Sequence, residues 1–330
     1  MILPDRPNRR GPSRREFVSL GIGAFVVAAA PLLRSGRPVL VRRTVPVMGT
    51  IAELGVVHDD ARYAHRALDA AVDELVRVER LMTRFRPDSD VGRVNLANVR
   101  EAVAVTRESA FVIDAALHWA EASDGAFDPC LGGAVTLWDV ARRREPPDPV
   151  QASHFAGRRL YRALGLDRAA GVAMREEADV SLDLGGIAKG YGVDRAVAAL
   201  RAWGIRNGLV NVGGDLYALG RSEHGEPWRI GIRSAADPSR LAGTMLMSDR
   251  AVATSGDYEQ FFEHAGRRYH HLLDPATGEP RHTAAHSLTI AADDCMTADA
   301  AATALFGRSH DAAVTLLRAA APAAELLHLG

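Results

Sequence analysis

The 330-residue chain predicts an α+β fold in which mixed or antiparallel sheets carry packed helices. Three observations lead there. From about Val39 onward, strand-like and helix-like patterns alternate without the regular strand–helix–strand beat of a doubly wound parallel sheet. A hydrophobic share of 47% at this length suffices for one large core, or for two lobes with a site between them. No internal repeat or low-complexity tract interrupts the pattern, which excludes a solenoid.

The elements follow in chain order. Residues 1–38 read as an export signal and linker, and 39–330 as the folded domain. Ser13-Arg14-Arg15-Glu16-Phe17 precedes an uncharged stretch from Val18 to Ala30, which fits a twin-arginine-type signal and an exported, periplasmic or membrane-associated location. That stretch is short of the ~20 apolar residues a spanning helix needs. Residues 63–83 place Leu68, Val72, Leu75 and Met82 on one helical stripe, with Glu74, Arg77 and Arg80 away from it. A second helix runs from a Thr106 or Ser109 cap through Trp119 to a stop at Gly125. The charged, Pro-rich stretch from Arg142 to Pro149 reads as an exposed loop or the seam between lobes. In the second half, Asp179 to Asp183 reads as a short strand, Ile187 to Trp203 as a helix stopped by Gly204, and Leu209 to Val212 as a strand. Trp228, Ile230 and Ile232, and later Leu288 and Ile290, alternate with other residues as in half-buried strands. Two helices, near 296–307 and 309–319, close the chain.

Composition excludes several functions. Forty basic against 41 acidic residues leave a net charge of -1, so no electrostatic footprint for nucleic acid exists. Cys130 and Cys295 are far apart, which indicates neither a disulfide framework nor a cysteine-ligated zinc site. All but one of the basic residues are Arg; the exception is Lys189. A lysine kept where arginine serves everywhere else points to a cramped site that needs a slim ammonium.

Lys189 lies in Asp183-Leu184-Gly185-Gly186-Ile187-Ala188-Lys189-Gly190, where a strand hands over to a helix. Glycines at such a junction let backbone amides approach an anion, and the helix start adds partial positive charge. A tight turn with no ligand fits the same residues. In Asp293-Asp294-Cys295-Met296-Thr297-Ala298-Asp299, a helix would set Asp299 and Thr303 on one face, an oxygen-only pair that suits Mg²⁺. Capping by Asp293 or Asp294 with a solvated Asp299 is the competing account. Ala253 to Tyr258 and Tyr269 to Gly278 contain the adjacent pair His270 and His271, of which at most one can face a site from a strand. No Gly-x-Ser-x-Gly elbow or His-Glu-x-x-His helix is present.

Taken in order, these segments resemble the ApbE-type flavin transferases, the FAD:protein FMN transferases. The resemblance spans roughly residues 45–310. It runs through Pro46-Val47-Met48-Gly49-Thr50, Met82 to Asn95, Gly125-Ala126-Phe127-Asp128-Pro129 with Leu137-Trp138, Asp183 to Gly190, Asn211-Val212-Gly213-Gly214-Asp215, the two histidine-region blocks, and Ala298 to Thr303. It implies a flavin transferase domain over 39–330 that moves FMN from FAD, the donor, to a Ser or Thr hydroxyl of an acceptor protein and releases AMP. Hydrolysis of FAD to FMN and AMP, and FAD binding without catalysis, are the alternatives. The resemblance places flavin or adenine contacts at Met48, Phe85, Ala126, Phe127, Asp128, Asp183, Lys189 and Leu273, and Mg²⁺ at Gly186, Asp299, Ala302 and Thr303. Phe85 stands where relatives often have Tyr, and Ala302 offers only backbone. Proton removal falls to His271, with Asp257 and Asp128 as rivals; Lys189 and the Gly185–Gly186 amides supply positive charge to the diphosphate. The expected acceptor is a membrane or periplasmic electron-transport subunit.

Overall fold

In the computed structural model, residues 25–27, 38–234, 237 and 240–329 are described. The twin-arginine motif lies outside the described residues. Seven strands form the main sheet: β1 (Val39–Val47), β2 (Thr50–His58), β3 (Gly208–Val212), β4 (Asp215–Leu219), β5 (Arg250–Gly256), β6 (Ser287–Ala292) and β7 (Glu325–Leu329). Their spatial order is their chain order, and every neighbouring pair is antiparallel. The α+β expectation holds, with antiparallel pairing throughout this sheet.

Strand periodicity explains how the sheet is covered. In β4, Tyr217 and Leu219 face one core while Leu216 and Ala218 face another, because successive side chains point to opposite faces. On the first face pack α1 (Ala61–Met82) and, later in the chain, α3 (Ala188–Ala202), through Leu68, Leu75, Val197 and Leu200. On the second face lie Trp228, Ile230 and Ile232 of a small antiparallel sheet. Its outer strands are Phe25–Val27 and Leu241–Met247. Between β2 and β3 the chain leaves the sheet to build a third and larger core around α2 (Arg107–Ala122), joined from the far end by α4 (Cys295–Leu305) and α5 (His310–Ala320). Ala188 and Tyr191 at the start of α3 belong to this third core, whereas Val193 to Leu200 belong to the first. The first turn of α3 therefore stands where two of the three cores meet.

Side-chain caps and left-handed glycines bound the helices. Asp60 caps α1 by accepting from the Arg62 and Tyr63 amides at 2.8 and 3.1 Å. Thr106, rather than Ser109, caps α2. Gly125 at φ +81° and Gly204 at φ +72° follow helix ends in the left-handed region. One expectation fails: Asp179 to Asp183 is not a strand. Its backbone is satisfied elsewhere, Ser181 donating to the Cys130 carbonyl at 3.1 Å and Asp183 to that of Pro129 at 2.7 Å. The Asn95 side chain brackets Leu182, accepting from its amide at 2.6 Å and donating to its carbonyl at 2.9 Å. A single parallel bridge, Leu131 to Ser181, is all the ladder that remains.

Candidate active site

The site grows from the packing of α3 against α4. Glycine makes the close approach possible: a Cβ on Gly190 would collide with the Cys295 carbonyl and stand 2.8 Å from Asp299 Cβ. A Cβ on Gly186, one turn earlier, would stand 3.0 Å from both Thr303 Cγ2 and Phe127 Cε2. Two rungs result, Gly190 with Asp299 and Gly186 with Thr303. The Gly190 amide donates to Asp299 Oδ2 at 3.0 Å. In a continuous helix that amide would bond the Gly186 carbonyl, so the rung leaves Gly186's oxygen outside the helix ladder.

Lys189 supplies the charge at this crossing. Its ammonium donates to the Asp215 carboxylate and lies 3.4 Å from Asp299 Oδ1. Asp215 and Asp299 are both almost fully buried. Burial works against the Lys189 charge, but the two carboxylates outweigh it and hold the ammonium well above the usual lysine range. Asp215 is pushed upward by burial and by Asp299, with Lys189 opposing. Two carboxylates around one ammonium leave a surplus of negative charge that a further cation would relieve. Glu259 adds to the surplus. Its side chain is exposed, and Lys189 and Asp299 act on it in opposite senses.

Among the described residues no trio of His, Cys, Asp and Glu is arranged around a metal position. The expected Mg²⁺ set does not depend on such a trio. It comprises one carboxylate (Asp299), the Thr303 hydroxyl and the main-chain oxygens of Gly186 and Ala302. These are oxygen donors only, with Gly186's carbonyl released from the helix, so the residues present fit a hard divalent cation that keeps several waters. The competing account fails in one respect: Asp294 does cap α4, accepting from the Thr297 amide at 2.7 Å, but Asp299 is buried, not solvated.

The expected flavin-contact residues fall into connected groups. Phe127 is buried with its ring edge toward Gly186 and Thr303. Ala126 and Leu273 are joined through their carbonyls to Arg281. Asp183 pairs with Arg84 Nε at 2.9 Å, and the Arg84 guanidinium lies 4.4 Å from the centre of the Phe85 ring, which is 80% exposed. Met48, at φ +54° in the β1–β2 turn, packs its sulfur toward Gly192 of α3. The Asp128 carboxylate accepts from the Cys130 and Tyr161 amides at 2.8 and 3.3 Å, and burial raises it to about 6. Gly185 departs from its expected part. Its amide donates to Asp183 Oδ1 at 2.9 Å and is already bonded, because Asp183 closes a turn over it.

The adjacent histidines separate as strand geometry demands. His270 is buried; its Nδ1 accepts from the Leu272 amide at 3.2 Å, so Nε2 carries the proton donated to the Arg281 carbonyl at 2.9 Å. That is a structural role. His271 Nδ1 is buried and has no hydrogen-bond partner among the described residues. Burial first, then the charges of His270 and Lys189, lower His271 to about 4, so it is neutral at pH 7 and shares the field of the Lys189 site. The Asp257 carboxylate is occupied by His286 Nδ1 at 2.7 Å and Arg268 at 3.3 Å. Asp257's charge still acts on His271.

Four residues here escaped sequence reasoning as site members: Arg84, Asp215, Glu259 and Arg281. Two had a signal. Asp215 ends the Asn-Val-Gly-Gly-Asp block, whose Gly213 and Gly214 take positive φ to turn β3 into β4, and Glu259 follows Tyr258 directly.

Comparison with known proteins identifies the family. The ApbE family profile matches residues 48–327. A FAD:protein FMN transferase of Treponema pallidum is 35% identical over 288 residues, covering 82% of this chain and 80% of the relative. One of Vibrio cholerae is 32% identical over 263 residues, covering 79% of each. Among solved structures, the ApbE protein of Thermotoga maritima superposes with a TM-score of 0.78 at 31% identity, covering 87% of this chain and 93% of its own. The flavin transferase ApbE from Vibrio cholerae does so at 0.74 and 29%, covering 86% and 91%. With a family match over most of its length, and with glycine-spaced helices that bring Lys189, Asp299 and Thr303 to one crossing, the chain belongs to the ApbE family.

Proposed function

We propose that the chain transfers FMN from FAD to a Ser or Thr hydroxyl of an acceptor protein, releasing AMP, in a Mg²⁺-dependent reaction. The observation that carries this reading is the double rung of α3 on α4, which gathers an ammonium, a buried carboxylate, a hydroxyl and a free main-chain carbonyl where a diphosphate would need them. The names of the relatives support the same activity. Mg²⁺ held by Asp299, Thr303 and the Gly186 and Ala302 oxygens supplies charge neutralisation to the diphosphate when bound.

The chain's own groups account for the rest. Lys189 fixes Asp299 and adds a positive charge beside the anion. Phe127, Met48 and the exposed Phe85 offer apolar and aromatic surface to the ring systems. The acceptor hydroxyl oxygen attacks the phosphorus of the FMN half, the bond to the AMP oxygen breaks, and the hydroxyl proton passes to neutral His271. An exported site of action, with an electron-transport subunit as acceptor, completes the proposal on the strength of residues 1–38.

The test is to mix the enzyme with FAD, Mg²⁺ and an acceptor carrying one Ser or Thr in its flavinylation motif. Flavin fluorescence that stays with the acceptor through denaturing electrophoresis, with one AMP per flavin attached, is the expected result. Free FMN with AMP would replace transfer by hydrolysis, and FAD bound without AMP would leave only a binding protein.

A further inference from the structure

Arg281 follows a two-residue strand, Glu279–Pro280, paired antiparallel with Leu273–Asp274. Its side chain turns inward and every nitrogen is bonded. Nε donates to the Leu273 carbonyl at 3.0 Å, Nη1 to the Thr303 carbonyl at 3.3 Å and to that of Phe306, and Nη2 to the Ala126 carbonyl. All four acceptors are main-chain oxygens. Among the described residues Arg281 forms no carboxylate pair; burial and nearby Arg308 lower it to about 10, with Asp274 opposing, and it stays charged at neutral pH.

The identity of the acceptors gives the arrangement its meaning. Ala126 and Leu273 are expected flavin contacts, Thr303 an expected cation ligand, and Phe306 the residue that ends α4. Three segments far apart in sequence are thus held at fixed spacing by one planar group. At the end of α4 the guanidinium also satisfies carbonyls that a helix terminus leaves without partners. The main chain of Arg281 extends the brace: its amide donates to Leu272 and its carbonyl accepts from His270, the residues on either side of His271.

We infer that Arg281 is a positioning residue for the proposed reaction, setting the distance between the flavin-contact segments and the cation-bearing turn of α4. This rests on the functional reading above, and the test separates the two. Arg281→Met removes the fork; Arg281→Lys keeps a charge but cannot reach all four carbonyls. Each variant is compared with the parent protein in thermal melting, in FAD affinity without divalent cation from quenching of flavin fluorescence, in the Mg²⁺ concentration that half-saturates any tightening of FAD binding, and in kcat and KM.

Both variants should fold and keep metal-free FAD affinity within about threefold, while half-saturating Mg²⁺ rises about tenfold and kcat falls about 100-fold. A lower melting point alone, with half-saturating Mg²⁺ and kcat unchanged well below it, would overturn the role, as would full recovery with lysine. If the parent protein binds FAD in a Mg²⁺-linked way but transfers nothing, the functional reading fails while the binding measurements still decide the part played by Arg281.

Discussion

The two ends of the site are held together by opposite means. At the α3–α4 crossing, Lys189, Asp215 and Asp299 are tied by side-chain charge, and each ionised group depends on another for its place. At the other end, one guanidinium holds carbonyls that any sequence could supply. The contrast teaches where substitutions should act. Replacing a charge at the crossing unbalances buried neighbours and strikes the reaction, whereas replacing residues that only brace backbone shifts geometry by fractions of an ångström.

The largest effect is expected at the crossing. Asp299→Asn preserves shape but removes the carboxylate, and transfer should fall by about 1,000-fold or more with the fold intact by circular dichroism. Undiminished transfer would dissolve the distinction between the two ends. His271→Gln comes next, with a loss of about 10²- to 10³-fold. Because burial lowers His271 to about 4, its proton-accepting form persists as pH drops from neutral. The parent rate should stay level down to about pH 5 and decline only as pH approaches 4, where the imidazole becomes protonated. A decline centred between pH 6 and 7 would instead reveal an ordinary, solvated histidine.

Asp215→Asn sharpens the comparison from within the charged end. It leaves Lys189 to Asp299 alone, which competes with a cation for that carboxylate, so half-saturating Mg²⁺ should rise about tenfold. The smallest effect belongs to a residue outside the site. Asp194 of α3 accepts from the Cys295 and Met296 amides at 2.8 and 2.9 Å, capping α4 from across the packing interface. Asp194→Ala should cost about 2 kcal/mol, read as a melting point lower by several degrees. Burial raises Asp194 to about 7. The folded state then binds more protons than the unfolded one between about pH 4 and 7, and this group's contribution to stability declines as pH rises across that window. The alanine variant should lose that component of the pH dependence.

How much of this was legible in the sequence depended on whether a residue's role is written in its type. A single lysine beside a glycine pair stood out because its chemistry is unusual in this chain, and the i, i+4 spacing of Asp299 and Thr303 followed from helix geometry alone. Alternation along a strand dictated that His270 and His271 part company, though not which would be buried behind the Arg281 carbonyl. Asp215 could not be paired with Lys189 beforehand, since the pairing depends on β4 lying beside the start of α3. Arg281 left even less trace: its partners are main-chain oxygens, which every residue carries. The stretch from Asp179 to Asp183 misled for the same reason, its apolar alternation being strand-like while its hydrogen bonds go to a loop and to the Asn95 side chain.

The most direct trial of the account is a crystal structure of the enzyme with FAD and Mg²⁺. The diphosphate should lie between the Lys189 ammonium and the Thr303 hydroxyl, with the cation on Asp299 and the flavin against Phe127. A diphosphate bound away from both Lys189 and α4 would contradict it.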